Sequence, residues 1–318
     1  MNQNRRVTVK VDDLVKRYRE LVAVDHLSLE IYENEIFGLL GPNGSGKSTL
    51  INSILALLKF EQGEVEIFGK KMSPTEYDLK QQIGLVPQEP AVYQELTVYE
   101  NIDYFCGLYI KDKVHKKNLV EQAIEFVGLN DFVKFHPPKL SGGLLRRLNL
   151  ACGIAHQPKL IFLDEPTVAV DPQSRNRILE GIKELRAQGS TIIYTTHYME
   201  EVEILCDRLA IMDKGNILVS GTSEEIISMS SLEESIDLEI YDLSEEFLQD
   251  LKRNSEFSHV NYHEGKLTLQ TKQDGKGLLG ILHLLEENDI EPISVSSKKP
   301  TLNDVFLEIT GKDLKDNA

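Results

Sequence analysis

The stretch Gly41-Pro42-Asn43-Gly44-Ser45-Gly46-Lys47-Ser48-Thr49 limits what this chain can fold into, because it fits Gly-x-x-x-x-Gly-Lys-[Ser/Thr]. The context that pattern requires is present. Glu35-Ile36-Phe37-Gly38-Leu39-Leu40 predicts a buried strand before it, and Leu50 to Leu58 predicts a helix after it. A triphosphate needs many N–H donors converging on one point, which a loop poor in side chains supplies; hence Gly41, Gly44 and Gly46. The following helix adds the positive end of its dipole. Lys47 is the point charge for the outer phosphates, and the Ser48 hydroxyl is placed to ligate Mg²⁺. Asn43, Ser45 and Thr49 complete the loop. The chain is expected to bind a nucleotide on an α/β fold.

At 318 residues the chain is long enough for about two domains. No apolar run approaches the roughly 18–20 residues that cross a bilayer. The polar start Met1-Asn2-Gln3-Asn4-Arg5-Arg6 predicts no secretory signal. Cys106, Cys152 and Cys206 are scattered and odd in number, so they read as reduced, buried thiols of a cytosolic protein. A formal net charge of −16 argues against a sequence-independent grip on nucleic acid. From Ser223 onward there are 21 acidic and 9 basic residues, which carries −12 of the −16 and marks a compositionally separate, well-solvated unit.

Taken in order, Val7-Thr8-Val9-Lys10-Val11 and Leu27-Ser28-Leu29-Glu30-Ile31 alternate apolar and polar and predict an antiparallel strand pair, with Tyr18 between them. Gly63 to Gly69 and Ile83 to Gln88 are further strands. Gln88, at a strand end, either satisfies local backbone or reaches a metal and the attacking water. Thr97 with Glu100 makes a capping-box start to a helix over Val98 to Tyr109, and a second helix is expected over Lys116 to Val127. This insert carries Tyr93, Tyr99, Tyr104, Phe105 and Tyr109, which serve core packing or a docking face. Ser141-Gly142-Gly143 opens a helix to about His156 and offers a second anion edge or a simple cap.

Leu160-Ile161-Phe162-Leu163-Asp164-Glu165 is a continuous apolar run ending in two carboxylates, as a strand buried on both faces would read. Asp164 would hold the metal shell and Glu165 would polarise a water, or both simply face solvent. Thr191 to His197 is a similar strand. Val170-Asp171-Pro172 and Gly189-Ser190 read as turns, and Leu209 to Val219 as a hairpin through Asp213 to Asn216. Beyond Ser223 the order is strand (Ile236 to Tyr241), helix (Ser244 to Asn254), hairpin (Ser258 to Thr271, turning at Glu264-Gly265), helix (Gly277 to Asn288), strand (Ile290 to Ser296) and a last helix (Thr301 to Ile309). That is the split βαβ of a ferredoxin-like unit.

The phosphate loop, Leu140-Ser141-Gly142-Gly143, Asp164-Glu165-Pro166-Thr167 and His197, in this order and at these separations, resemble the ATPase subunit of ABC transporters from Val7 to about Gly221. The resemblance implies a P-loop NTPase with a mixed sheet, an antiparallel β subdomain and a helical insert. It implies that Tyr18 stacks on adenine, that Gln88 couples the metal site to the insert, and that Asp171 communicates across a dimer. Ser141, Gly142 and Gly143 would contact the γ-phosphate of ATP held by a second subunit, and His197 would contact the γ-phosphate in its own chain. Lys47, Gln88, Glu165 and His197 would be the catalytic set, with Ser48, Gln88 and Asp164 around Mg²⁺. The signature usually ends in glutamine; here that position is Leu144. The wording Pro166 to Arg175 and the ending Thr301 to Glu308 look like subunits of ABC-2-type exporters, including drug and antibiotic resistance systems.

The organisation expected is an ATPase domain over 1–222, with its helical subdomain at about 92–157, and an accessory or regulatory domain over 223–318. The mechanism implied is a head-to-tail pair of ATPase subunits with two ATPs at their interface. It would power a separate transmembrane permease from the cytoplasmic face of the membrane. A soluble ABC-type ATPase acting on nucleic acid or the ribosome, or an importer subunit, would share the same site. A small-molecule kinase or GTPase would share only the loop.

Overall fold

The structure, a computed structural model, describes residues 5–168, 170–241, 243–271 and 277–311. Met1 to Asn4 of the polar start and Ala169 of the exporter-like stretch lie outside the described residues. The chain forms two compact units, one running through Ser223 and one spanning Glu224–Gly311.

In the first unit, β1 (Val7–Tyr18) and β2 (Leu21–Tyr32) are an antiparallel pair of 12-residue strands. They are longer than the two apolar runs predict, and Tyr18 ends β1 instead of lying in a loop. Charged residues such as Lys10 and Glu30 pair across the exposed face, while Val9, Val11, Leu29 and Ile31 are buried beneath. β3 (Ile36–Leu40) feeds α1 (Lys47–Ile54), which stops four residues short of the predicted end because Ala56 takes a left-handed φ of 51°. β4 (Gln62–Ile67) and the short β5 (Lys70–Lys71) complete a first sheet in the order β2-β1-β4-β5.

After α2 (Tyr77–Lys80) comes β6 (Ile83–Val86), which ends two residues before Gln88, since Pro87 has no N–H for the ladder. The helical insert continues the chain with α3 (Val98–Gly107), α4 (Lys113–Val127) and α5 (Gly142–Ile154). The capping box of Thr97 and Glu100 is formed as the sequence predicts. β7 (Leu160–Asp164), α6 (Pro172–Ala187), β8 (Thr191–Thr195), α7 (Met199–Leu205), β9 (Arg208–Asp213) and β10 (Asn216–Gly221) complete the unit.

The second sheet runs β10-β9-β3-β8-β7-β6, parallel except for β10. Every residue of β3 and β8 is buried, which explains the unbroken apolar run of β3 and the apolar centre of β8 between Thr191 and Thr195. Side-chain alternation splits the sheet between two cores. Phe37, Leu39, Phe162 and Ile193 pack with β1, β2, β4 and α1; Ile161, Leu163, Ile192 and Tyr194 pack with α3 to α6. Register aligns Leu39 and Asp164 with Thr195, and Val86 with Leu163, so four strand ends share one edge. The phosphate loop, Gln88, Glu165 and His197 all leave from that edge. Cys106 and Cys152 are buried free thiols, whereas Cys206 is only half-buried.

The helix α8 (Ser223–Met229) opens the second unit, which continues with β11 (Glu234–Glu239), α9 (Glu245–Arg253), β12 (Phe257–His263), β13 (Lys266–Thr271), α10 (Gly277–Glu287), β14 (Ser294–Lys298) and α11 (Leu302–Thr310). Its antiparallel sheet is ordered β12-β13-β11-β14, the ferredoxin-like arrangement. Ile236, Leu238, Phe247, Leu269, Ile281 and Leu285 lie in its core. The predicted last strand is displaced toward the C-terminus, because the Ile290 N–H closes α10 by donating to Leu285 O and Pro292 interrupts the residues beyond it.

Candidate functional site

The loop between β3 and α1 takes its shape from glycines at positions no other residue would occupy without strain. Gly44 and Gly46 have φ of 79° and 107°, and a β-carbon on Gly46 would lie 2.2 Å from Ala23 O. The Ser45 N–H donates to Pro42 O at 3.1 Å, and the Gly215 N–H donates to Ser45 O at 2.9 Å, which ties the loop to the β9–β10 turn. Asn43 is exposed and Thr49 half-buried. Lys47 is buried, and its Nζ donates to Gly41 O at 2.7 Å and Pro42 O at 3.1 Å. Burial pulls the Lys47 pKa down, against the opposing pull of the Glu165 and Asp164 carboxylates. That lysine therefore sits in the field of both acids.

Asp164 ends β7 beside the loop. Its Oδ2 accepts from the Ser48 hydroxyl at 3.1 Å, and its Oδ1 accepts from the Thr195 hydroxyl at 2.6 Å. The next residue points elsewhere. Glu165 has a left-handed φ of 47°, a conformation that costs a non-glycine residue about 1–3 kcal/mol and that clusters at working sites. Its N–H donates to the Thr195 hydroxyl at 3.0 Å, which holds the turn. The side chain is 8% exposed, and its Oε2 accepts from Gln88 Nε2 at 3.0 Å with His197 Nδ1 at 3.6 Å. The histidine first, then the charges of Lys47 and Arg146, hold the carboxyl below the usual range despite burial. Glu165 is thus an ionised, buried acceptor flanked by a neutral amide and an imidazole.

Ser141, Gly142 and Gly143 form a second cluster. The Ser141 hydroxyl caps α5 by accepting from the Leu144 N–H at 3.3 Å, and Ser141 and Gly142 are exposed. Leu144 itself is half-buried against the core of the insert, which accounts for a leucine at that position. Asp171 is not in a free turn. It caps α6, with Oδ1 accepting from the Ser174 N–H at 2.9 Å and Pro172 at the first helical position. A β-carbon on Gly143 would come within 2.8 Å of Asp171 Oδ2, so this glycine is what lets the two helix caps meet. Tyr18 is 45% exposed at the end of β1, with Lys16 Nζ 5.1 Å from the centre of its ring.

Sequence reading missed four residues that the structure ties to these clusters. Thr195 bonds both acids. Asn149 of α5 clamps the segment after β6, donating to Pro87 O at 3.0 Å and accepting from the Ala91 N–H at 3.0 Å. Arg175, half-buried, and Glu201, fully buried, make an ion pair at 2.7 Å. The available signal was a polar residue at a buried helical position, as at Asn149 and Glu201, but it does not name the partner. Among the aromatics of the insert, Tyr93 and Tyr104 are largely exposed while Tyr109 stacks on His156 at 4.0 Å. A cavity of about 320 Å³ is lined by Leu57, Leu85, Pro87, Phe105, Leu108 and His156 among others.

Three comparisons with known proteins show the family. The sequence model described as "ABC transporter" matches residues 24–168. The linearmycin resistance ATP-binding protein LnrL of Bacillus subtilis (strain 168) is 36% identical over 97% of this chain and 100% of its own length. The daunorubicin resistance ATP-binding protein DrrA3 of Streptomyces coeruleorubidus is 30% identical over 96% of each chain. A Nod factor export ATP-binding protein I of Sinorhizobium fredii (strain NBRC 101917 / NGR234) is 33% identical over 98% of this chain and 88% of its own. Among solved structures, a dimeric post-hydrolysis ATP-binding cassette bound to ADP and phosphate superposes with a TM-score of 0.63. It is 27% identical and covers 67% of this chain and 98% of that one. With the phosphate loop, the acid pair and the histidine gathered on one sheet edge, the chain belongs to the ABC transporter family, as an ATP-binding, ATP-hydrolysing subunit.

Proposed function

We propose that two copies of this chain close head to tail around two ATP molecules and so drive a separate membrane permease that exports a drug-like, antibiotic or lipid-like compound. The observation that carries this reading is the separation of two anion-facing clusters. Lys47, Ser48, Asp164, Glu165, Gln88 and His197 gather at one strand edge. Ser141 and Gly142 stand exposed at the start of α5. A γ-phosphate held by the first cluster is then completed by the serine-glycine edge of the other copy, which links turnover to dimer closure.

The contacts support a role for each residue in this reading. Lys47 and the loop N–H groups bind the phosphates, and Tyr18 offers a face to the base. Glu165 polarises the attacking water as a base kept ionised by its neighbours, with Gln88 and His197 fixing its oxygen. Ser48 and Asp164 present hard oxygen donors 3.1 Å apart, a fit for Mg²⁺, which when bound neutralises charge on the phosphates. Asp171, touching Gly143, would relay the state of that edge to α6.

No helix of the described residues is long and apolar enough to cross a membrane, so the spanning part of the transporter is assigned to a partner. The permease would dock near Gln88 and the Tyr93 to Tyr109 region, where Tyr93 and Tyr104 are exposed and Phe105 and Tyr109 line the apolar cavity, and would hold the chain at the cytoplasmic face. Residues 223–318 form an accessory unit in this reading. Among its described residues there is neither a metal-ligating group of three nor a second phosphate loop.

Affinity purification of the tagged chain from detergent-solubilised membranes tests the assignment. A membrane-spanning protein should co-purify at a fixed ratio and change the rate of ATP turnover. Recovery with ribosomes or nucleic acid, and with no membrane protein, would contradict it.

A further inference from the structure

Glu201, in α7, is fully buried, yet neither phosphate nor metal chemistry calls on it. Its carboxylate gathers donors from three separate segments. Oε2 accepts from Tyr194 OH at 2.6 Å, the Thr196 hydroxyl at 2.7 Å and the Thr167 hydroxyl at 3.0 Å. Oε1 accepts from Arg175 Nε at 2.7 Å. Burial and the adjacent carboxylate keep the Tyr194 phenol protonated, so it stays a donor.

The positions of those donors matter more than their number. Thr167 lies two residues after Glu165, in the turn closed by the Val168 N–H donating to Glu165 O. Thr196 immediately precedes His197, and its hydroxyl also accepts from the Tyr198 N–H at 3.0 Å. Arg175 sits in the first turn of α6, and its N–H donates to Asp171 O at 2.9 Å. Its guanidinium lies 4.5 Å from the Tyr198 ring, which in turn packs 4.3 Å from the His197 ring. One carboxylate therefore holds the segment behind Glu165, the segment in front of His197, and the helix whose cap touches Gly143.

We infer that Glu201 is a positioning residue for ATP hydrolysis: it sets the Glu165–His197 separation and ties it to the α6 cap beside the signature loop. The inference rests on Glu165 and His197 acting at the γ-phosphate. Glu201 touches no part of the phosphate loop, so its loss should disturb the geometry of attack and leave nucleotide binding in place. A misplacement on the order of 1 Å can lower a rate about 100-fold. An amide at this position offers one acceptor oxygen and turns N–H groups toward partners that now donate, so the cluster cannot keep its present arrangement.

The test uses the full chain with Glu201→Gln, Thr167→Val, Thr196→Val and, in parallel, Glu165→Gln. For each, kcat and KM for ATP, equilibrium binding of ATP and the thermal midpoint are measured. Glu201→Gln should lower kcat roughly 10- to 100-fold with KM and binding within about threefold. The two threonine variants, which remove a hydroxyl without leaving a new charge, should each lower kcat about three- to tenfold and combine non-additively with Glu201→Gln. Should Glu201→Gln fail to fold, the threonine variants carry the test alone. Unchanged kcat, or a fall in kcat matched by equal losses in ATP binding and thermal midpoint, would overturn the inference. If Glu165→Gln also keeps its turnover, the catalytic reading beneath it fails; if only the Glu201 and threonine variants keep theirs, this inference alone fails.

Discussion

Glu165→Gln should abolish ATP turnover while ATP continues to bind, and ATP-bound dimers should accumulate. The substitution keeps the size of the side chain and removes its charge, its capacity to take a proton and one of its two acceptor oxygens, while the other can still accept from Gln88. General-base participation contributes about 10²- to 10⁴-fold, so a loss in that range is expected in kcat. The structure gives reasons why no neighbour should substitute. Asp164 is occupied by the Ser48 and Thr195 hydroxyls, and Gln88 is an amide. The left-handed turn at Glu165 aims its carboxylate away from Asp164 and toward Gln88 and His197. Light scattering at saturating ATP should show the variant as a dimer; monomers under those conditions would weigh heavily against the reading.

Lys47→Ala should weaken nucleotide binding by about tenfold or more and abolish turnover. A hydrogen bond to a charged group contributes about 1.5–3 kcal/mol, so loss of the ammonium alone weakens binding by roughly 10- to 150-fold. The change also strips Gly41 O and Pro42 O of the donor that now spans the loop. A single aromatic stacking contact contributes about 0.5–1.5 kcal/mol, so Tyr18 cannot make up the difference, and GTP should bind almost as well as ATP. Titration with a fluorescent ATP analogue, alongside phosphate release, decides the matter. Unchanged activity would refute the assignment of the phosphate loop.

How much of this was legible beforehand depended on whether a residue's partner lies near it in sequence. The phosphate loop was legible because its glycines, lysine and serine act within nine residues on one local geometry. The strands β3, β7 and β8 were legible because burial on both faces leaves a run of apolar residues at their centres, with polar residues only at the ends of β7 and β8. The Thr97 capping box and the Glu264-Gly265 turn are local too, and both formed as read. The helix α6 escaped notice because most of its residues are polar and only Ile178, Leu179, Gly181, Ile182 and Leu185 are buried. Asp171 was consequently read as part of a turn when it is that helix's cap.

The last strand of the second unit, β14, is exposed along its whole length and gives no alternation to read. Contacts that cross the fold were invisible altogether. Nothing in the order of residues says that Thr195 bridges both acids, that Asn149 clamps the chain around Pro87 and Ala91, or that Glu201 gathers four donors. The family resemblance supplied roles for Gln88, Asp171 and His197. For Gln88 and His197 the structure adds a shared approach to Glu165 Oε2, at 3.0 and 3.6 Å.

The central claim is that ATP gripped by one copy is completed by Ser141 and its glycines from another, and mixing two crippled chains tests it directly. A Lys47→Ala chain cannot hold phosphate, and a Ser141→Arg chain cannot lend its edge. A mixed dimer of the two contains one site with both parts intact and one with neither. Each variant alone should be inactive, and an equal mixture should recover ATP turnover up to about a quarter of the wild-type rate. A Ser141→Arg chain that hydrolyses ATP at the full rate by itself, or a mixture that forms dimers yet stays as inactive as its parts, would contradict the shared site.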